Sequence, residues 1–212
     1  VQAMDRILFM EDGRISGFDT HEVLYRETVL LMQSKEIDVE SGIKLLKRCA
    51  QSGYAAAWLY LGQLYSNKKS SLYNPALAFD CYKRAAEMEC AEGYYNLGLC
   101  YNTGLGCEKN ADSAVDCFSQ GAKQYDPKCI CALGICYEFG IGCQTDYERA
   151  VIMYEKAAQN DDAVAINNLG GCYFYGHGVS QDKQSAISLY RRAAELGNSN
   201  AECRLGICCE LG

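Results

Sequence analysis

The sequence predicts an all-α fold: a right-handed α-solenoid of stacked helix pairs with a period of 36 residues. Three observations predict it. A Leu-Gly pair recurs at Leu61-Gly62, Leu97-Gly98, Leu133-Gly134, Leu169-Gly170 and Leu205-Gly206. Three residues after each glycine stand Tyr65, Tyr101, Tyr137 and Tyr173, with Cys209 in the fifth copy. A second segment opens at Gly42, Ala78, Ala114, Ala150 and Ala186, and four residues further carries Leu46, Tyr82, Phe118, Tyr154 and Tyr190.

The elements follow in chain order. Residues 1–18 fall outside the period and form a leader. Within it, an apolar run from Arg6 to Met10, an Asp12-Gly13 turn and a return at Arg14-Ile15 read as a β-hairpin. From Asp19 to Ser34 the pattern turns helical through Val23, Leu24, Val29, Leu30 and Leu31, and caps or begins the solenoid. Asp38-x-x-Ser41 suits the start of the next helix. In the first helix of a pair, Ala57, Leu61, Leu64 and Tyr65 lie at i, i+4, i+7 and i+8, one face of a 3.6-residue helix. In the second helix, Ala150, Met153, Tyr154, Ala157 and Ala158 fall on one stripe. Small residues at these crossings let two backbones approach closely.

Between the helices stands a Gly-x-Gly, at Gly104 and Gly106, Gly140 and Gly142, Gly176 and Gly178. Glycine accepts the left-handed conformation that ends a helix. Polar stretches such as Glu108–Asp112 then suit a turn and a new helix start. Lys68 and Ser70 occupy the glycine slots in the first full copy, where an irregular loop is expected. The solenoid is expected to fill residues 19–212, as four full repeats with partial repeats at each end. Gly212 falls in the middle of a repeat, so the natural protein is expected to continue.

Composition narrows the function. The 212 residues carry 20 Lys+Arg against 27 Asp+Glu, a net charge of −7, which argues against a protein built to neutralise nucleic-acid phosphates or an anionic membrane. Hydrophobic residues make up 49%, enough to bury a core. No apolar run approaches the roughly 18 residues of a membrane span, so no direct membrane insertion is expected. Gly-x-Gly recurs as helix punctuation and is not a phosphate loop; no Gly-x4-Gly-Lys-Ser/Thr occurs. His21 and His177 are the only histidines and lie far apart in sequence, which leaves little for His-based catalysis or metal binding.

The Ala-x4-Gly-x2-Tyr-x2-Gly-x-Gly pattern, as in Ala165, Gly170, Tyr173, Gly176 and Gly178, resembles the Sel-1-like repeat, a longer-looped relative of the tetratricopeptide repeat. The resemblance covers residues 38–212. It implies a scaffold or adaptor for a protein or peptide partner, with no catalysis and no cofactor. A fainter resemblance joins residues 4–25, through Asp5–Leu8, Glu11–Ile15 and Thr20–Leu24, to the closing segment of an ABC-type ATPase domain. It implies the alternative role of a C-terminal regulatory or cargo-recognition extension of such a machine.

Fourteen cysteines follow the same register. Cys100, Cys136, Cys172 and Cys208 share one position, Cys107 and Cys143 another, Cys81 and Cys117 a third. They read first as small apolar core residues. Equivalent positions in stacked repeats sit about 10 Å apart, beyond the Cα limit of a disulfide. Secreted relatives of the resembled family tie each repeat with a Cys-x7-Cys bridge, but the matching positions here hold Ala86 and Tyr94, or Ala158 and Ile166. Reduced thiols in a cytoplasm fit this pattern. An intra-repeat bond such as Cys100–Cys107 stays open. Zinc on Cys129, Cys131, Cys136 and Cys143, or on Cys203, Cys208 and Cys209, is disfavoured: no Cys-x2-Cys pair occurs, and helical residues five apart do not converge on one ion. No metal is expected.

A solenoid of this type exposes one side of its first helices on a concave face. The residues three before, two before and one after each glycine are expected to form it. Tyr60, Gln63, Tyr95, Asn96, Leu99, Asn167, Asn168 and Arg204 are the expected partner-binding row. Amides at one-repeat spacing can bond the backbone of an extended peptide, and aromatic side chains supply anchoring area. The competing reading is that Asn96 and Asn168 bond the neighbouring repeat or water.

Overall fold

The computed structural model describes residues 20–211 and places eleven helices in them. They are α1 (Thr20–Gln33), α2 (Val39–Gln51), α3 (Ala55–Ser66), α4 (Pro75–Glu87), α5 (Ala91–Thr103) and α6 (Ala111–Lys123). There follow α7 (Pro127–Phe139), α8 (Tyr147–Ala158), α9 (Ala163–Tyr175), α10 (Lys183–Glu195) and α11 (Ser199–Leu211). No strand occurs among the described residues, and none of their helices is long and apolar enough to cross a membrane. The expected leader hairpin at 1–18 lies outside them.

Backbone contacts divide the chain into two units, Val1–Gly93 with Leu105–Cys107, and Tyr94–Gly104 with Glu108–Gly212. In the first, α1 to α4 pack each on the next; in the second, α6 to α11 do the same, and α7 also meets α9. That is the α-solenoid arrangement the sequence predicts: successive helices antiparallel, the first helix of one pair beside the first helix of the following pair.

One joint holds each pair together. A ring of the second helix lies on a glycine of the first, leaving no room for a side chain. A Cβ added to Gly62 would stand 2.5 Å from the Tyr82 ring, one on Gly98 2.5 Å from Phe118, one on Gly134 2.6 Å from Tyr154 and one on Gly170 2.7 Å from Tyr190. All four rings are buried, with Tyr154 fully enclosed. At α2, Gly42, which stands in the register of Ala78 and Ala114, meets the Met32 side chain of α1.

Capping follows the same period. Asp38, Asn74, Asn110, Asp146 and Asp182 are the N-caps of α2, α4, α6, α8 and α10, and each side chain accepts a backbone N–H of the first turn. The backbone N–H of Asn74 also donates to Tyr65 (2.8 Å), that of Asp146 to Tyr137 (2.8 Å) and that of Asp182 to Tyr173 (2.9 Å). The tyrosine carbonyl near the end of one helix is thereby tied to the start of the next. Between them the Gly-x-Gly residues take positive φ, +66° at Gly140 and +63° at Gly142. The second glycine is also sterically required: a side chain there would strike the Pro75 carbonyl from Gly106, the Ala111 carbonyl from Gly142 or the Tyr147 carbonyl from Gly178. Where Lys68 and Ser70 replace the glycines, the loop is irregular, closed by Ser70 N–H to the Asn67 carbonyl at 2.9 Å.

Candidate functional site

In the second unit, the first helices α5, α7 and α9 border a concave hollow of about 350 Å³. Leu99, Phe118, Cys131, Ala132, Ile135 and Ile141 make an apolar floor. Val164, 47% exposed, stands at its edge. The polar lining consists of Tyr95, Asn102, Lys128 and Asp162. The Lys128 Nζ lies 5.9 Å from the Tyr95 ring centroid, and that ring is 6.1 Å from Phe118. Burial, reinforced by the nearby Cys131, Asp162, Cys129 and Asp126, raises the Tyr95 phenol above its ordinary range, so it remains a hydroxyl donor at neutral pH.

Two repeat positions that line the hollow, Phe118 and Asn102, differ from their counterparts in the other repeats. Ser66, Asn102, Glu138 and Phe174 share a position, facing Tyr82, Phe118, Tyr154 and Tyr190 respectively. The Ser66 hydroxyl lies 3.1 Å from the Tyr82 hydroxyl, and Tyr154 donates to Glu138 Oε2 at 2.6 Å. Phe174 cannot accept, and Arg204 Nη1 donates to the Tyr190 hydroxyl at 3.2 Å in its stead. At Phe118 there is no hydroxyl to bond, so Asn102 presents its amide to the hollow.

The expected row is divided by this geometry. Tyr60 and Gln63 lie in the first unit, where Tyr60 is half-buried, its ring 6.3 Å from Tyr25, and Gln63 is exposed. In the second unit, Tyr95 and Leu99 come together in the hollow, and Asn96 and Asn168 are half-buried. Asn167 is only 3% exposed; its Nδ2 donates to Asn168 Oδ1 at 3.1 Å and its own Oδ1 has no protein partner. Expecting it on the open face is corrected by its burial at this point of the stack, whereas Tyr95 at the same repeat position is half-buried and Cys203 exposed. Leu59 and Cys131 at the same position are buried too, at 7% and 4%. Arg204 is committed to Tyr190, with its guanidinium 5.5 Å from that ring centroid. Phe118, Asn102, Lys128 and Asp162 were not foreseen; the signal available was the one ring without a hydroxyl in the 36-residue alignment.

Cys49, Cys81, Cys117, Cys131, Cys136 and Cys172 are buried thiols without a disulfide. Burial pushes Cys49, Cys81, Cys117 and Cys136 up to about 11 and Cys172 up to about 12. Burial, with Asp162 beside it, also raises Cys131 strongly. These thiols stay protonated at neutral pH and are poor nucleophiles. Cys143 Sγ donates to the Cys136 carbonyl at 3.4 Å. Among the described residues, no group of three or more His, Cys, Asp or Glu side chains is placed to hold a metal ion.

Comparisons with known proteins agree with this architecture. The profile of the Sel1 repeat matches residues 50–90, 91–126, 127–162 and 163–198. The chain is similar to a Sel1 repeat protein from Oxalobacter formigenes, at 27% identity over 86% of this chain and 74% of that one, with a TM-score of 0.77. It is also similar to a protective antigen of uropathogenic Escherichia coli strains displaying an SLR fold: 25% identity, 97% of this chain, 52% of that one, TM-score 0.66. An immunity protein from Pseudomonas aeruginosa shares the fold at 22% identity, over 91% of this chain and 71% of that one, with a TM-score of 0.59. A comparison with curated proteins finds no significant match.

Proposed function

The chain belongs to the Sel1 repeat family, and from that premise we propose that it is a non-catalytic adaptor that docks a peptide segment of a protein partner in the concave hollow of its second unit. The Sel1 repeat fold is typical of protein-interaction scaffolds. The observation that carries the reading is the hollow itself: about 350 Å³, apolar at its floor, with Tyr95, Asn102, Lys128 and Asp162 spaced around it. An apolar recess with a few polar groups is the form of a site that anchors one side chain and orients the backbone around it. Tyr95 and Leu99 supply the anchoring contact, Asn102 an uncommitted amide. Asn96 and Asn168 extend the polar margin, and Tyr60 and Gln63 belong to the corresponding row of the first unit. We infer residence in a reducing compartment such as the cytoplasm, because the positions that carry the Cys-x7-Cys bridge in secreted relatives hold Ala86 and Tyr94, or Ala158 and Ile166.

The test compares proteins captured by the wild-type chain with those captured by Leu99→Glu and by Ile135→Glu, quantified by mass spectrometry. Each variant places a carboxylate over the apolar floor and is expected to lose specific partners at least ~10-fold, the cost of an unpaired buried charge. Capture of the same proteins in the same amounts would exclude the hollow as the docking site.

A further inference from the structure

A second recess lies in the same unit, between the second helices α6 and α8, and its neighbour one repeat later shows what is missing from it. In that neighbour, Arg192 of α10 reaches across to the loop after α8. Its Nη2 donates to Asp161 Oδ1 at 2.6 Å and to the Ala158 carbonyl at 2.9 Å. The residues 36 earlier are Lys156, Tyr125 and Ala122. Lys156 thus has a tyrosine opposite it where Arg192 has a carboxylate. Among the described residues Lys156 makes no ion pair, and a cleft of about 470 Å³ remains open.

The chemistry of this cleft is one-sided. Its floor is Ala122, Ile130, Leu133 and Met153. Its charged groups are Lys123 and Lys156, and no carboxylate lines it, in a chain whose net charge is −7. Lys123 is held by Gln120 at 3.2 Å, a neutral acceptor that leaves the charge uncompensated. Tyr125 is 84% exposed and has φ +61°, a left-handed conformation that bulky residues rarely adopt. The same register holds Gly53, Glu89, Asp161 and Gly197, all with positive φ. A large exposed ring therefore sits where the backbone favours small or acidic residues.

We propose that this cleft docks an acidic peptide segment of a protein partner. An apolar side chain sits on the Ala122–Ile130–Met153 floor under Tyr125, and a neighbouring carboxylate meets Lys156 as Asp161 meets Arg192 one repeat on. The site shares no lining residue with the hollow.

The test pans phage-displayed random dodecapeptides on the full chain. Enriched sequences are expected to place Asp or Glu beside Leu, Phe or Trp. One enriched peptide, labelled with fluorescein, is then titrated by anisotropy. Affinity is expected to fall ~10-fold or more in Lys156→Glu and in Tyr125→Asp, and to weaken with added salt. Tyr125→Asp installs the residue that already stands at this position one repeat later, so folding is expected to survive; circular dichroism melting checks it. Leu99→Glu should leave the affinity within about twofold, because that side chain lies in the other recess. The proposal is overturned by a lack of enrichment, by enriched peptides without acidic residues, or by affinity that Lys156→Glu and Tyr125→Asp leave unmoved. Loss in Leu99→Glu would likewise move the peptide to the concave side.

Discussion

The joint at Phe118 and the joint at Tyr154 are built from the same parts, a glycine of one helix under an aromatic ring of the next, yet they end differently. At Gly134, Tyr154 is fully enclosed and its hydroxyl donates to Glu138 at 2.6 Å. At Gly98, Phe118 has no hydroxyl, and the space beyond the ring belongs to the concave hollow. Both rings lie almost equally close on their glycines, and the joints differ in the Tyr154 hydroxyl and in the residue that faces it, Glu138 in place of Asn102. The recurring glycine–ring packing thus leaves the polar end of each joint free to differ between repeats, and at Phe118 that end opens on the hollow.

Four substitutions test the contrast. Gly134→Val is expected to have the largest effect, a loss of about 3 kcal/mol in denaturant unfolding, because its new carbons collide with a ring that has nowhere to go. Gly98→Val should cost about half as much, since Phe118 has the hollow beside it to yield into. Equal costs would refute the idea that the two joints differ in freedom. Next in size, Tyr154→Phe removes the donor to Glu138 and should lower stability by about 1 kcal/mol, read from the same unfolding curves. Smallest of all, Phe118→Tyr should change stability by less than ~0.5 kcal/mol while its hydroxyl takes up the Asn102 amide. Amide hydrogen–deuterium exchange and partner capture then report whether the hollow has narrowed; unchanged capture would mean that Asn102 plays no part in docking.

The helix pairs were legible because packing imposes a strict period: Gly62 to Gly206, the rings from Tyr82 to Tyr190 and the caps from Asp38 to Asp182 all recur at 36 residues. What lies between repeats was less so. Asn167 reads as a surface amide from its distance to Gly170, but the stacked repeats bury it, while Tyr95 at the same repeat position stays half-buried in the hollow. The Phe118–Asn102 vacancy and the Tyr125–Lys156 pairing join residues 16 and 31 apart. Neither interval belongs to helix or turn periodicity, so neither signals contact until the helices are stacked.

The second glycine of each Gly-x-Gly also makes the two borders of the molecule unequal. Gly142 and Gly178 lie against the carbonyls of Ala111 and Tyr147, which open second helices a repeat earlier. Such a loop is a latch: at Gly106, Gly142 and Gly178 a side chain would strike the carbonyl of an earlier repeat, and the loop that carries Ser70 in that slot is irregular. The short turns on the other border, near Glu89, Tyr125 and Asp161, carry an acid, an aromatic and an acid in turn, and at Asp161 the tie between repeats is a side chain, Arg192, instead of a glycine. Novelty can accumulate along that border while the first keeps the stack in step.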